Sequence, residues 1–339
     1  MGMGPNNNEE DRMLSTNHSP VLARAAAAML LLLAATGLAR AQEITLKAAN
    51  AFPEASYYAK NFEKFIDRVN AEGKGLVKIQ YVGGPKSIPT FELANALRNG
   101  VVDLANTTMS FTAGIVPEGL VLNYTDAGMA ELRRNGTIDY LNKIFLEKGL
   151  YIFARTGEGV PYHIYSNRKV TSADLTGLKL RIAPIYRDFF QKLGASVVQV
   201  APGEVYTALD RGVVDGYGWP LIGIFDLGWQ EKTKYRIDPG FYNIELSVLF
   251  NAKTWQKLTP QQRQFLEKEA AWLEGLNASY PGDGAAEDKR QRAAGIEVIK
   301  LDDAQAKLFL QIAYETAWDG VIKASPVHGA KLKQMITKR

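Results

Sequence analysis

An α/β fold of two similar lobes with mainly parallel sheets is what this sequence predicts, and three observations predict it. Strand-like and helix-like segments alternate from Glu43 to Pro220, an order that produces parallel pairing with helices on both faces. The unit strand, helix, strand, helix, strand occurs twice. A phrase is also repeated: ALRNGVVD from Ala96 returns as ALDRGVVD from Ala208, 112 positions on, with six identities in eight and with Glu92 and Glu204 in register.

Each element follows from its pattern. EITLKAANA (43–51) alternates apolar and polar residues as a half-buried strand does. SYYAKNFEKFIDRVNAEG (56–73) sets Tyr58, Phe62, Phe65, Ile66 and Val69 at helical spacing and stops at Gly73. LVKIQYVGG (76–84) is a strand. Thr90 is expected to cap a helix through Leu97 that Gly100 ends, leading into strand VVDLAN. The second unit runs from TSADLTGLKLRIAP, a turn into a strand, through helix IYRDFFQKLG and strand ASVVQVAP. A helix opened by Pro202 and Glu204 then ends at Gly212 before VVDGYGW. Beyond Asn251 the chain turns helical, with Thr259 as cap and Pro260 at the first helical position of a long amphipathic helix. Pro281-Gly282-Asp283-Gly284 is expected to interrupt that helix before GAAEDKRQRAAG resumes it. IEVIKL (296–301) reads as a strand before a closing helix.

The N-terminus reads as a signal peptide. Arg24 precedes a fifteen-residue apolar run (25–39) and then Ala39-Arg40-Ala41, a positive flank, hydrophobic core and small-residue cleavage site. The run is shorter than the roughly 20 residues a membrane span needs. Residues 1–41 are therefore expected to be removed, leaving Gln42 first, and Met13 is the expected start because MGMGPNNNEEDR resembles neither signal nor fold. The chain has no cysteine, so an exported protein of this size must rely on its core rather than on disulfides, which suits a bacterial periplasm. The remaining organisation is expected to be 42–165 mainly lobe 1, 166–255 mainly lobe 2, and 256–339 a helical region packing across both.

Composition narrows the function. The net charge of +4 is mild, and no basic run carries interleaved aromatics, which argues against nucleic acid. Without cysteine there is no thiol nucleophile or thiolate metal site. After the signal only His163 and His328 remain as histidines, and no HExxH, G-x-S-x-G or phosphate-loop motif occurs. Neither a cofactor nor a metal is expected, and no catalytic centre can be assembled.

Binding chemistry is easier to place, because open α/β sheets hold ligands outside the carboxyl ends of their strands. Those ends are Asn50 to Pro53, Asn106 to Phe111, Arg181 to Pro184 and Gly216 to Pro220. Arg181, near the end of strand LKLRI, is either a surface residue on a polar face or a guanidinium aimed into the cleft, where its planar fork would match a carboxylate. Both readings stand from position alone. Tyr217 and Trp219 follow VVDG with glycines around the tyrosine; they could wall an apolar pocket or pack between the lobes. Thr107, Thr108, Ser110 and Phe111 hold the matching place in lobe 1, with helix capping as the alternative role for the threonines. Tyr162 is ambiguous, and His163 reads as an ordinary hydrogen-bonded residue. Asn243 completes the expected ligand contacts.

GLKLRIAP, then a helix, LGASVVQVAPGEVYTALDRGVVDG and Trp219-Pro220 resemble the solute-binding proteins of tripartite ATP-independent periplasmic (TRAP) transporters, the DctP-like family. YVGGPKSIPTFELANALRNGVVDLA, VPEGLVL (116–122) and NAKTWQKLTPQQRQFL (251–266) are similar to further family segments, so the likeness covers nearly all of 43–325. It implies a two-lobed periplasmic binding fold, type II-like, with hinge strands and a long C-terminal helix region. It also implies capture of an organic acid, delivery to TRAP membrane subunits, and Arg181 as the carboxylate clamp.

Three features depart from the family's pattern. Trp219 stands where many members carry Asn. Gly218 replaces the Glu that precedes this Trp in keto-acid binders and helps hold a metal there. Pro281-Gly282 falls within what is usually one long helix. Losing Asn and Glu while keeping Tyr217, Trp219, Phe111 and Tyr162 shifts the expected ligand toward a monocarboxylate with an apolar or aromatic body, an aryl or 2-oxo acid, rather than a sugar acid. A sensing role on a membrane receptor is the main alternative. An exported enzyme on the same scaffold is the remote one, for want of a nucleophile–base pair.

Overall fold

The computed structural model describes Met1 and residues 42–337. The predicted signal peptide and its cleavage site lie outside the described residues. The first repeat runs β1 (Ile44–Asn50), α1 (Tyr57–Glu72), β2 (Val77–Gly83), α2 (Leu93–Arg98), β3 (Leu104–Thr107) and the short α3 (Met109–Thr112). α4 (Met129–Arg134) and α5 (Thr137–Glu147) lead to β4 (Leu150–Thr156) and β5 (Pro161–Ser166). The second repeat is β6 (Lys179–Ile182), α6 (Arg187–Lys192), β7 (Ser196–Gln199), α7 (Val205–Asp210) and β8 (Gly216–Pro220). After it come β9 (Tyr235–Asn243), β10 (Leu246–Asn251), α8 (Ala252–Lys257), α9 (Pro260–Gly275), α10 (Tyr280–Ala293), β11 (Glu297–Lys300), α11 (Asp303–Ala324) and α12 (Pro326–Thr337).

Two sheets result, one for each lobe. The first has the order β2-β1-β3-β10-β4 and the second β11-β9-β5-β8-β6-β7. Strands of each repeated unit pair in parallel: β1 with β2 and β3, β6 with β7 and β8. Antiparallel pairings come from the strands that carry the chain between lobes, β10 against β3 and β4, and β5 against β8 and β9. The chain crosses from β4 to β5 and returns from β9 to β10. These two crossings touch at Gly157 (φ 91°), where an added Cβ would lie 3.0 Å from Ile244. Glycine is required there twice over, for the positive φ and for the close approach.

The repeated phrase makes the same corner in both lobes. The N–H of Val101 reaches Ala96 O at 2.9 Å, and that of Val213 reaches Ala208 O at 2.9 Å. Gly100 (φ 78°) and Gly212 (φ 66°) supply the left-handed residue at each helix end. Asp103 donates its N–H to Lys47 O and accepts the Lys47 N–H on its carboxylate at 2.8 Å. Asp215 does the same with Lys179, its carboxylate accepting at 2.8 Å. GVVD is thus a helix stop followed by an aspartate that ties the corner to the neighbouring strand.

The predicted apolar face of α1 is buried, from Tyr58 through Val69, and Ser56 caps it by accepting the Ala59 N–H. Phe62, Phe65 and Val69 pack with Leu266 and Leu273 of α9 against the first sheet. Each such ring or branched chain contributes roughly 2 kcal/mol by leaving water. Thr259 and Gln262 form a capping box at the start of α9, with Pro260 in the first turn.

Two expectations are corrected. Thr90 caps no helix: its hydroxyl donates to Ala51 O at 2.9 Å, and α2 begins after Glu92. The expected interruption of the long helix is present but lies about a turn earlier: a 3-10 turn at Leu276–Ser279 separates α9 from α10, and residues 281–284 lie in the first turns of α10. Proline distorts the turn before it, since its ring crowds the carbonyl four residues back and it has no N–H to donate.

Candidate functional site

The carboxyl ends of the parallel strands converge from both sheets on one cleft. Its walls are Phe52 after β1, Thr108, Ser110 and Phe111 after β3, Ala183 and Tyr186 after β6, Trp219 and Pro220 of β8, with Tyr162 of β5 and Ile244 from the two crossings. The cavity left between them is about 10 Å³, room for no more than a single water, so the lobes must part to admit a ligand. Rings dominate the walls. Phe52 and Phe111 are 5.7 Å apart, and Tyr162 and Tyr186 are 5.6 Å apart, centroid to centroid.

The lobes meet across this cleft through hydrogen bonds. Ile185 N–H donates to the Ser110 hydroxyl at 3.2 Å, Tyr58 donates its phenol proton to Ile222 O at 2.8 Å, and Tyr57 N–H donates to Asp226 at 2.6 Å. The two halves are therefore closed on one another.

Arg181 lies one layer behind the cleft wall, with no exposed surface. Its Nε donates to Val200 O at 2.8 Å, and its Nη1 donates to the Tyr186 hydroxyl at 3.1 Å and to Gly218 O at 3.3 Å. Nη2 has no partner among the described protein atoms. The guanidinium also lies 5.6 Å from the Trp219 ring, within cation–π range. None of these partners is an anion. Burial accordingly pulls the guanidinium's pKa below its usual value, opposed by the Tyr186 and Tyr162 phenols. Trp219 adds a second buried and unpartnered donor in its indole N–H.

Tyr186, which the sequence reading did not single out, connects Arg181 to the cleft. Its hydroxyl donates to Gly218 O at 2.7 Å while accepting from Arg181. Its ring lies against Gly218, where an added Cβ would come within 2.6 Å. Gly218 is therefore matched to Tyr186, whose ring fills the space a side chain at 218 would need. Two residues beyond Pro184, Tyr186 was legible only by following the strand-end rule a little further into the 3-10 turn at Pro184–Tyr186.

Of the other expected contacts, Trp219, Phe111, Thr108 and Tyr162 line the cleft. Burial raises the Tyr162 phenol well above its usual pKa. Tyr217 does not line it: the ring stacks on Tyr165 at 5.1 Å, meets Trp229 edge-on at 4.9 Å, and shares a hydrogen bond with Thr233 at 2.8 Å. Tyr217 is thus packing beneath the strand. Thr107 is buried on β3 with an unpartnered hydroxyl, outside the cleft walls. Asn243 also lies outside them, its side-chain amide donating to Asp126 at 2.8 Å and to Thr125 O at 3.3 Å. His163 is an ordinary hydrogen-bonded residue, its Nδ1 within 3.0 Å of Asp238.

A buried acid was missed. Glu245, in the apolar run IELSVLF, is wholly buried beside the cleft. It accepts the Met109 N–H at 2.7 Å, the Thr108 hydroxyl at 3.4 Å and the Ser247 hydroxyl. Burial raises its pKa; the Met109 N–H, Ser247, Arg155 and Thr108 act in the other direction. A lone acid in the otherwise largely apolar run between β9 and β10 was the available signal.

Comparison with known proteins agrees with this architecture. The family described as bacterial extracellular solute-binding protein, family 7, matches residues 48–321. A solute-binding protein of Albidiferax ferrireducens is 26% identical over 299 residues, covering 83% of this chain and 88% of its own. An extracytoplasmic solute receptor of Bordetella pertussis that binds pyroglutamic acid superposes with a TM-score of 0.77 at 19% identity, over 87% of this chain and 100% of its own. A TRAP solute-binding protein from a marine metagenome, specific for aromatic acid ligands and solved with 3-hydroxybenzoate, gives a TM-score of 0.72 at 21% identity, over 87% and 97%. Strand order, interlobe cleft and family match together place this chain among the DctP-like solute-binding proteins of TRAP transporters.

Proposed function

We propose that this protein captures an organic acid, a monocarboxylate with an apolar or aromatic body such as an aryl or 2-oxo acid, and delivers it to the membrane subunits of a TRAP transporter from the periplasm. The observation that carries this reading is Arg181: a buried guanidinium with no anionic partner and an unused Nη2, directly behind a cleft of rings. A buried cation is costly unless it is paired, and a ligand carboxylate supplies the missing partner. The carboxylate takes the place of the Tyr186 hydroxyl on Nη1 and engages Nη2, with the Trp219 indole N–H as a further donor. Phe52, Phe111, Tyr162 and Tyr186 then enclose the ligand body.

The 3-hydroxybenzoate bound by one structural neighbour is an aryl monocarboxylate, and the pyroglutamate bound by another is a monocarboxylate with a polar ring. In the same reading, residues 42–165 and 166–255 provide the main parts of the two lobes, and 256–339 packs across both. Thr107, Tyr217 and Asn243 support the walls and hinge rather than touch ligand.

A thermal-shift screen of carboxylic acids tests the reading. A true ligand at 100 times its dissociation constant stabilises by about 2.7 kcal/mol. Stabilisation by sugar acids alone, with none from aryl or 2-oxo acids, would sink the ligand class.

A further inference from the structure

The cleft is electrically two-ended. Arg181, the cation, stands behind Tyr186 and Trp219 on the second sheet. Glu245, the acid, stands behind Thr108 and next to Ile244, where the chain returns to the first sheet. Tyr162 interacts electrostatically with both. No salt bridge among the described residues engages Glu245. Arg155 acts on it electrostatically, but its Nη1 donates to Ala127 O and its Nη2 to Leu122 O, each at 2.9 Å. Glu245 is instead held by donors alone: the Met109 N–H and the Thr108 and Ser247 hydroxyls.

That arrangement sets the direction of the hydrogen bonds at this end. Both Glu245 oxygens accept, so the Thr108 hydroxyl donates to Glu245; the Thr108 oxygen also caps α3 by accepting the Ser110 N–H at 3.4 Å, which leaves one lone pair for whatever lies in the cleft. A ligand group that faces the Thr108 oxygen must therefore be able to donate. A second carboxylate placed there would meet a lone pair first and the buried Glu245 carboxyl behind it.

Resting on the monocarboxylate reading above, we propose that Glu245, acting through Thr108, makes this protein selective for monocarboxylates that carry a hydroxyl or N–H donor at the end opposite the carboxylate, and makes it reject dicarboxylates. Glu245 is a positioning residue, and Thr108 is the contact.

The test is isothermal titration with two matched series: benzoate, its meta-hydroxy derivative and its meta-dicarboxylate; and butanoate, its terminal hydroxy derivative and the dicarboxylate of equal length. In the unsubstituted protein the hydroxy acid of at least one series should bind about tenfold more tightly than the plain acid, because a site with a fixed acceptor loses a partner when the donor is missing. The dicarboxylate should bind more weakly still. Thr108→Val should erase the preference for the hydroxyl. Glu245→Gln, whose amide can donate to Thr108, should bring the dicarboxylate toward the affinity of the hydroxy acid. Arg181→Ala should weaken every member alike.

Equal binding of all three members of a series, with Arg181→Ala still weakening them, overturns the selectivity and leaves the carboxylate reading standing. Binding that ignores Arg181→Ala, or no binding by either series, overturns both. Should Glu245→Gln fail to fold, the ratio in Thr108→Val decides the matter, since that substitution conserves volume and leaves the acid in place.

Discussion

Asp226, from the loop that follows β8, accepts the backbone N–H of Tyr57, the first residue of α1, at 2.6 Å. The bond runs from one lobe to the other. A carboxylate from the second half sits on the free N–H groups of a sixteen-residue helix of the first, where the helix dipole favours negative charge. The Tyr58 phenol beside it donates to Ile222 O. Closure is thus held at the rim of the cleft by groups separate from the ligand-facing walls.

Asp226→Ala should therefore shift the protein toward an open form. A hydrogen bond to a charged group is worth about 1.5–3 kcal/mol, and any cost to the closed state appears directly in affinity. Ligand affinity should fall about tenfold, and small-angle scattering of the free protein should report a larger radius of gyration. An unchanged radius together with unchanged affinity would show that closure does not depend on this contact.

Arg181→Ala should abolish carboxylate binding and leave the circular dichroism spectrum unaltered. Removing one partner of a desolvated charge pair costs about 2–5 kcal/mol, enough to turn micromolar affinity into roughly millimolar or weaker. Arg181→Lys should recover only part of it, because an ammonium cannot reach Val200 O and a ligand carboxylate with one planar fork. Full affinity in Arg181→Lys would mean that charge alone matters.

The paired corners at Asp103 and Asp215 should behave as equivalents. Replacing either with Ala removes the acceptor for one backbone N–H on the adjacent strand. Since both groups are partly exposed, each loss should cost about 1 kcal/mol. The double variant should cost the sum, as the corners lie in different lobes. Urea unfolding of the single and double variants measures this; a strong departure from additivity would tie the two corners together.

Glu245 should impose a pH-dependent cost on stability. Its folded pKa lies above the usual 4.5 because it is buried. Below that unfolded value both states hold the proton and the cost is absent. As pH rises through it, the unfolded chain ionises first, and stability falls until the folded group ionises too. Thermal melts of Glu245→Gln against the unsubstituted protein should show the variant gaining relative stability as pH is raised from below about 4.5 toward neutrality. A difference constant with pH would mean that the buried acid keeps an ordinary pKa.

Local patterns carried a good deal of this structure. The doubled ALxxGVVD phrase announced two lobes because helix stop, left-handed glycine and strand-tying aspartate are all local devices, complete within a dozen residues of chain. The strand-end rule pointed to loops that the structure brings together, and Phe111, Thr108, Tyr162 and Trp219 line the cleft between them. Facing was harder to read. Tyr217 and Trp219 sit two apart on one strand and on the same side of it, yet Tyr217 ends beneath Tyr165 and Trp229 while Trp219 borders the cleft. Long-range packing makes that distinction. The same holds for Thr90, a plausible cap by sequence whose hydroxyl is drawn away to Ala51 O.

By itself, then, the sequence determined the order of elements, the two-fold repeat, the family, and an arginine at a strand end. Only the tertiary structure decided that Arg181 is buried without an anion, that Tyr186 stands between it and the cleft, and that Glu245 lies at the opposite end. The reason is physical. Periodicity and turn chemistry report which side of its own element a residue occupies, whereas desolvation and charge pairing depend on what the other lobe brings against it.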